Sequence, residues 1–78
     1  MILTIHLRPE SFEGDTILVQ STFPLDYEKE RYASTMLTDA SHSVLSFVLN
    51  ASQLTEEQVN WLDRMREQQV ILSWEALP

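Results

Sequence analysis

The side chains in this chain that could do chemistry are mostly carboxylates, with twelve Asp and Glu, two His and no Cys among 78 residues. A metal site needs ligands that converge, and His6 and His42 occur in none of the spacings typical of zinc or calcium sites. No Ser lies in a nucleophile motif, and a single Gly is too few for a phosphate-binding loop. We therefore predict no metal and no cofactor.

Two carboxylates could still act together as a general acid and a general base. Such a pair needs a cleft that raises the pKa of one carboxyl group, and a chain this short rarely forms one. We predict that the protein is not an enzyme. The alternative is a small hydrolase, for which Glu10, Glu13, Asp15 and His6 are the candidate residues.

The loop of residues 10–15 places one aromatic side chain, Phe12, among three carboxylates, Glu10, Glu13 and Asp15. In one interpretation Phe12 folds back over the edge of a sheet and the acidic residues only solvate the loop. In the other, Phe12 is a contact residue, and the charges around it attract Lys or Arg on a partner. We predict these four residues as partner-binding residues.

A second set of candidate contact residues lies in a predicted helix and comprises Glu57, Trp61, Asp63 and Glu67. Spaced carboxylates on a helix can mimic the phosphates of a nucleic acid, as in inhibitors encoded by mobile elements, or they can be an ordinary solvated face. Tryptophan is enriched at interfaces, but in so small a protein it also serves as a core residue. Both interpretations stay open for Trp61.

The elements that position these side chains follow from hydrophobic periodicity. Leu3, Ile5 and Leu7 alternate with polar residues, and this two-residue period predicts a half-buried strand within residues 1–8. Pro9 cannot donate a hydrogen bond to a neighbouring strand, so it ends the element.

Residues 16–23 repeat the alternation, with Ile17, Val19 and Phe23 on one face. This pattern predicts a second strand that pairs with the first. We expect Gly14, the only glycine, to supply a positive φ in the turn between the two strands.

The middle of the chain is predicted to be a helix over residues 27–38 followed by a strand over residues 42–50. The helix rests on apolar residues at three-to-four spacing: Tyr32, Ala33, Met36, Leu37 and Ala40. Residues 42–50 fit a strand buried on both faces and also continue the helical stripe. We favour the strand because the serines lower helix propensity.

The last third of the chain is predicted to be a helix over residues 56–68 and a strand over residues 70–76. Thr55 and Gln58 have the spacing of a capping box, in which each side chain bonds the other residue's backbone. The whole chain, residues 1–78, is then a single small α+β domain. Its expected architecture is a two-layer sandwich in the order β-β-α-β-α-β, with a mixed sheet and both helices packed on one face.

The charge of the chain points to the kind of partner. A formal net charge of -7 repels nucleic acid and attracts a basic protein surface. No signal peptide or membrane anchor is visible at residues 1–8, and cysteine is absent, so we predict a cytoplasmic location. We predict a non-enzymatic binding module, an accessory or inhibitor protein that docks on a basic partner surface and contacts neither nucleic acid nor membrane directly.

The alternative function is a structural homo-oligomer, such as a homodimer, that completes its core through the sheet face or an edge strand. Leu18 and Ile71 fall on the nominally polar faces of their predicted strands. Together they predict an apolar patch on the open side of the sheet, which would suit a second copy or a flat partner.

Overall fold

The structure, a computed structural model, describes residues 1–25, 32–37 and 43–78. These ranges contain β1 (Ile2–His6), α1 (Glu13–Thr22), β2 (Tyr32–Leu37), β3 (Val44–Leu49), α2 (Glu56–Glu67) and β4 (Ser73–Leu77). The prediction of a small α+β fold is confirmed. The predicted element order is wrong in its first half, because the second element is a helix and the third is a strand.

The four described strands form one sheet in the order β2-β3-β1-β4, and every neighbouring pair is antiparallel. The predicted parallel pair, and with it the mixed sheet, is wrong. β1 and β2 do run in the same direction, but β3 lies between them and forms the hydrogen bonds with both. This order is that of the split β-α-β, or ferredoxin-like, topology, which supports many unrelated functions.

The core lies on one face of the sheet, where alternate residues of β1 and β3 are buried: Leu3, Ile5, Leu45, Phe47 and Leu49. Both helices contribute to this core. Phe23, which follows α1, stacks on Phe47 with 5.2 Å between ring centroids and meets Trp61 of α2 edge-on at 5.4 Å. The helices therefore lie on the same face of the sheet.

The predicted strand over residues 16–23 is wrong, because most of this segment belongs to α1. Its buried residues, Thr16, Val19 and Phe23, recur at intervals of three and four, whereas Ile17 is exposed. The β-branched residues favour a strand locally, but packing against the sheet overrides that weak preference. Gly14 does not adopt a positive φ and lies in the first turn of α1, so its predicted role in a hairpin turn is also wrong.

The predicted helix over residues 27–38 is wrong where it can be compared, because Tyr32–Leu37 is strand β2. Residues 27–31 and 38 lie outside the described part of the chain. Six residues fit a helical stripe and a strand alternation almost equally well. The segment is a strand because β3 pairs with it along its whole length.

The other two predicted strands, over residues 42–50 and 70–76, are both present in the structure. The strand preferred for residues 42–50 is confirmed by β3, and the last strand exists but covers Ser73–Leu77, later than the predicted residues 70–76. Ile71, which precedes β4, is 1% exposed, and Leu18 lies on α1. These two residues therefore do not form the apolar patch that we predicted on the open side of the sheet.

The predicted helix over residues 56–68 is confirmed by α2, and its capping box is formed. The hydroxyl oxygen of Thr55 accepts from the Gln58 backbone N–H at 3.1 Å, and the Gln58 side-chain oxygen accepts from the Thr55 N–H at 2.9 Å. The buried Gln58 amide also donates to the carbonyl oxygen of Pro24 at 2.9 Å. This bond ties the start of α2 to the segment after α1.

Candidate functional site

Phe12 is the most exposed large hydrophobic residue among those that the structure describes, at 79%. It occupies the N-cap of α1, where its backbone N–H lies 3.4 Å from Oδ2 of Asp15 and its carbonyl accepts from the Asp15 N–H at 3.0 Å. The ring is too exposed to cover the edge of the sheet, so the first interpretation is wrong for Phe12.

A phenylalanine at an N-cap works against the stability of the helix. N-cap positions favour Ser, Thr, Asp and Asn, because their side-chain oxygens accept hydrogen bonds from backbone N–H groups of the first turn. Phe12 has no such acceptor, and α1 has no side-chain bond of this kind. The position therefore carries an exposed ring where a small polar residue would stabilise the helix.

The end of α2, next to Phe12, shows a second departure from local preference. The Val70 N–H donates to the Met65 carbonyl at 2.9 Å, and the Gln69 N–H donates to the Arg66 carbonyl at 3.1 Å, which together form a Schellman motif. The residue with left-handed backbone in this motif is usually Gly, but here it is Gln69, with φ 62. Its side chain restricts a conformation that glycine adopts freely.

Phe12 and Gln69 border the same depression, together with Arg8, Glu10, Ser11 and Asp15. A second depression shares Arg8 and Gln69 and continues to Arg66, Ile71 and Leu72. Leu72 is 59% exposed. We call this continuous surface, with Phe12 and Leu72 at its ends and Arg8 and Gln69 between them, the Phe12 groove.

Two of the acidic residues around Phe12 make contacts within the protein itself. Nη2 of Arg8 lies 2.8 Å from Oε1 of Glu10. The Glu10 backbone N–H, and after it the Arg8 guanidinium, lower the pKa of the Glu10 carboxyl from its ordinary value of 4.5. Asp15 faces the backbone of Phe12, and the side chain of Glu13 lies outside the described part of the structure.

The other predicted acidic contact residues, Glu57, Asp63 and Glu67, do come together. They line one shallow depression along α2 with Glu56, Asn60 and Arg64. Asp63 lies 3.4 Å from Nη2 of Arg66, and Arg64 interrupts the acidic row. Glu56, Glu57 and Glu67 have no ion pair with any described residue.

Of the two interpretations left open for Trp61, the structure favours a core residue. It is 5% exposed and packs edge-on against Phe23 in the core. A helix with glutamates on one side must bury its large apolar residues on the other, and Trp61 belongs to that buried side. Sequence reasoning also missed Gln69 and Leu72. The absence of a glycine after α2 was the only signal for Gln69, and Leu72 had no such signal.

No three His, Cys, Asp or Glu side chains form a metal-binding group in the described part of the chain, and none of its helices has the length and apolarity needed to cross a bilayer. Searches of protein families, curated proteins and solved structures find no match to this chain.

Proposed function

We propose that the protein is a non-enzymatic binding module that inserts Phe12 into an apolar pocket on a partner protein. The observation that carries this proposal is the 79% exposure of Phe12 at a helix N-cap. An exposed aromatic side chain contributes nothing to the core, and at this position it also displaces a stabilising cap. A residue that costs stability in the free protein is best explained by contacts made in a complex.

The groove beside Phe12 gives the partner a complementary surface. Leu72 supplies a second apolar contact, and the backbone at Gln69 is held by the Schellman motif. Aromatic residues are enriched at the centres of interfaces, and a large ring brings contact area with few rotatable bonds to immobilise. We therefore place the centre of the interface at Phe12 and its edge at Leu72.

Electrostatics favours a basic partner. Glu56, Glu57 and Glu67 lack ion-pair partners among the described residues, and the formal net charge is -7. Opposite charge on the partner would steer the encounter and raise the association rate, while the apolar contact would set the lifetime of the complex. A partner that itself binds nucleic acid is one form of such a surface, and the cytoplasmic location stays a prediction.

The test compares Phe12→Ser with Ile17→Ser, since Ile17 is a similarly exposed apolar residue, at 56%, on the outer side of α1. The tagged proteins are used to capture partners from nuclease-treated lysate of the source cell at low and at high salt. We expect Phe12→Ser to abolish capture of a partner that both wild type and Ile17→Ser retain.

Unfolding measurements on the same variants separate function from folding. Phe12→Ser should raise the free energy of unfolding by about 0.5–2 kcal/mol, because serine can cap α1. A more stable variant that no longer binds its partner identifies Phe12 as a contact residue. A less stable Phe12→Ser, or capture that survives the substitution, would contradict the proposal.

A further inference from the structure

The sheet carries almost none of the protein's charge. Its four described strands contain one formally charged residue, Glu75, and one histidine, His6. Nε2 of His6 lies 3.4 Å from Oε1 of Glu75 on the side of the sheet that faces away from the helices. This side, which we call the open face, therefore carries at most one net negative charge in its described strands, on a chain with a net charge of -7.

Three apolar side chains form a continuous row across the open face. Ile2 in β1 pairs directly with Val48 in β3 and with Leu77 in β4. Directly paired residues project from the same side of a sheet, and these three are 46%, 51% and 57% exposed. We call them the apolar row. Thr4 and Ser46, which are smaller, occupy the next paired position along β1 and β3.

We propose that the open face binds the open face of a second copy of this chain. This interface is separate from the Phe12 groove and does not depend on the function proposed for it. The two-fold axis lies in the plane of the interface and passes near Ile2, the middle residue of the row. A two-fold rotation about this axis places the apolar row of one copy against the apolar row of the other.

The distribution of charge favours a second copy over a basic partner. Seven of the eight acidic residues in the described ranges lie in α1, in α2 or in the loop before α1, and Glu75 is the eighth. A basic partner is therefore drawn to the helices. Among the described residues, the charges that make two copies repel each other lie on those same surfaces and least on the open face. Interface cores are depleted of charged residues.

The size of the chain supports the same conclusion. A domain of 78 residues buries a smaller share of its surface on folding than larger domains do. Here one layer of helices covers one face of the sheet, and the apolar row stays in water on the other. Pairing two open faces would turn a two-layer domain into a four-layer dimer with a shared apolar centre.

The test is the mass of the protein in solution, measured by sedimentation equilibrium over a range of concentrations. The wild type should approach twice 9.1 kDa as its concentration rises. Val48→Lys places a cation from each copy in the interface, and like charges there are strongly unfavourable. We expect this substitution to weaken the dimer by about 100-fold or more.

Ile17→Lys is the matched control, because Ile17 is exposed to a similar extent on α1. It should leave the dimer unchanged, and circular dichroism should show that both variants are folded. Leu77→Lys provides a second variant if Val48→Lys does not fold. A wild type that stays monomeric up to about 1 mM, a dimer that tolerates a Lys in the apolar row, or a dimer that Ile17→Lys dissociates would overturn the proposal.

Discussion

At the scale of single residues, the informative positions are those whose side chains conflict with their local structure. Phe12 occupies a position that favours a small polar residue, and Gln69 occupies one that favours glycine. Both border the Phe12 groove. Local conflicts that converge on one surface are typical of functional sites, where selection for binding outweighs selection for stability.

Glu10 gives a prediction at this scale. Its lowered pKa has the hydrogen bond from its own backbone N–H as the largest single cause, followed by the hydrogen bond from Arg8. Arg8→Gln should therefore raise the pKa of Glu10 only part of the way to 4.5, as measured by NMR titration of the Glu10 side chain. A pKa that does not move, or one that returns fully to the ordinary value, would contradict this order of causes.

The sign of the accompanying pH effect follows from the direction of the shift. Because folding lowers the pKa of Glu10, the loop interactions of Glu10 stabilise the folded state above the unfolded pKa. This stabilisation is lost as the pH falls through the folded value, below 4.5. Arg8→Gln should therefore slightly lower the free energy of unfolding at neutral pH and leave it unchanged in acid, so that stability depends less on pH. The effect should be small because the pair is exposed.

At the scale of elements, we expect Gln58 to contribute more to the stability of the protein than Thr55, the N-cap residue of α2. Thr55 forms half of the capping box, whereas Gln58 forms the other half and also bonds the carbonyl oxygen of Pro24. Thr55→Ala should lower the free energy of unfolding by about 1 kcal/mol. Gln58→Leu should lower it by about 2 kcal/mol or more, since it leaves part-buried backbone groups without partners.

Urea denaturation of the two variants measures this difference, with Glu57→Gln as a control in the same helical turn. Glu57 is exposed and has no described partner, so its substitution should change the free energy of unfolding by about 0.5 kcal/mol or less. Equal losses for Thr55→Ala and Gln58→Leu would show that the bond to Pro24 contributes little.

At the scale of the whole molecule, charge and apolar surface are separated between two layers. The described acidic residues other than Glu75 lie on the helices or the loop before α1, whereas the strands contribute the apolar row. One molecule can therefore present two different surfaces. The helical layer suits a basic partner, and the open face suits a second copy.

Salt should act on these two surfaces in opposite directions. Raising the ionic strength from about 0.01 M to about 1 M shortens the Debye length from about 30 Å to about 3 Å. The association rate with a basic partner should fall, because steering is screened. Self-association should hold or strengthen, because screening weakens the repulsion between two copies that each carry a charge of -7.

Stopped-flow association with the captured partner and sedimentation equilibrium of the free protein measure the two effects. A partner association rate that does not respond to salt would argue against electrostatic docking through α2. A dimer that dissociates as salt is added would argue that ion pairs hold the two copies together, and the apolar row would then not be the centre of the interface.

Several features of this protein could be read from the sequence because they are local. The capping box of α2 needs only Thr55 and Gln58, three residues apart. The alternation in β1 shows directly in Leu3 and Ile5, and the acidic character follows from composition. Each of these signals lies within a few residues of the structure that it specifies, so the sequence alone predicts that structure.

The tertiary structure decided the remaining features. Residues 16–23 and 32–37 fit both a helix and a strand, and the choice was made by contacts with β3 that local propensity does not contain. The Phe12 groove joins Phe12 and Gln69, and the apolar row joins Ile2, Val48 and Leu77. Such surfaces exist only after folding, because the tertiary structure brings together residues that are far apart in the sequence. The local conformational preferences of these residues do not indicate that they will be neighbours.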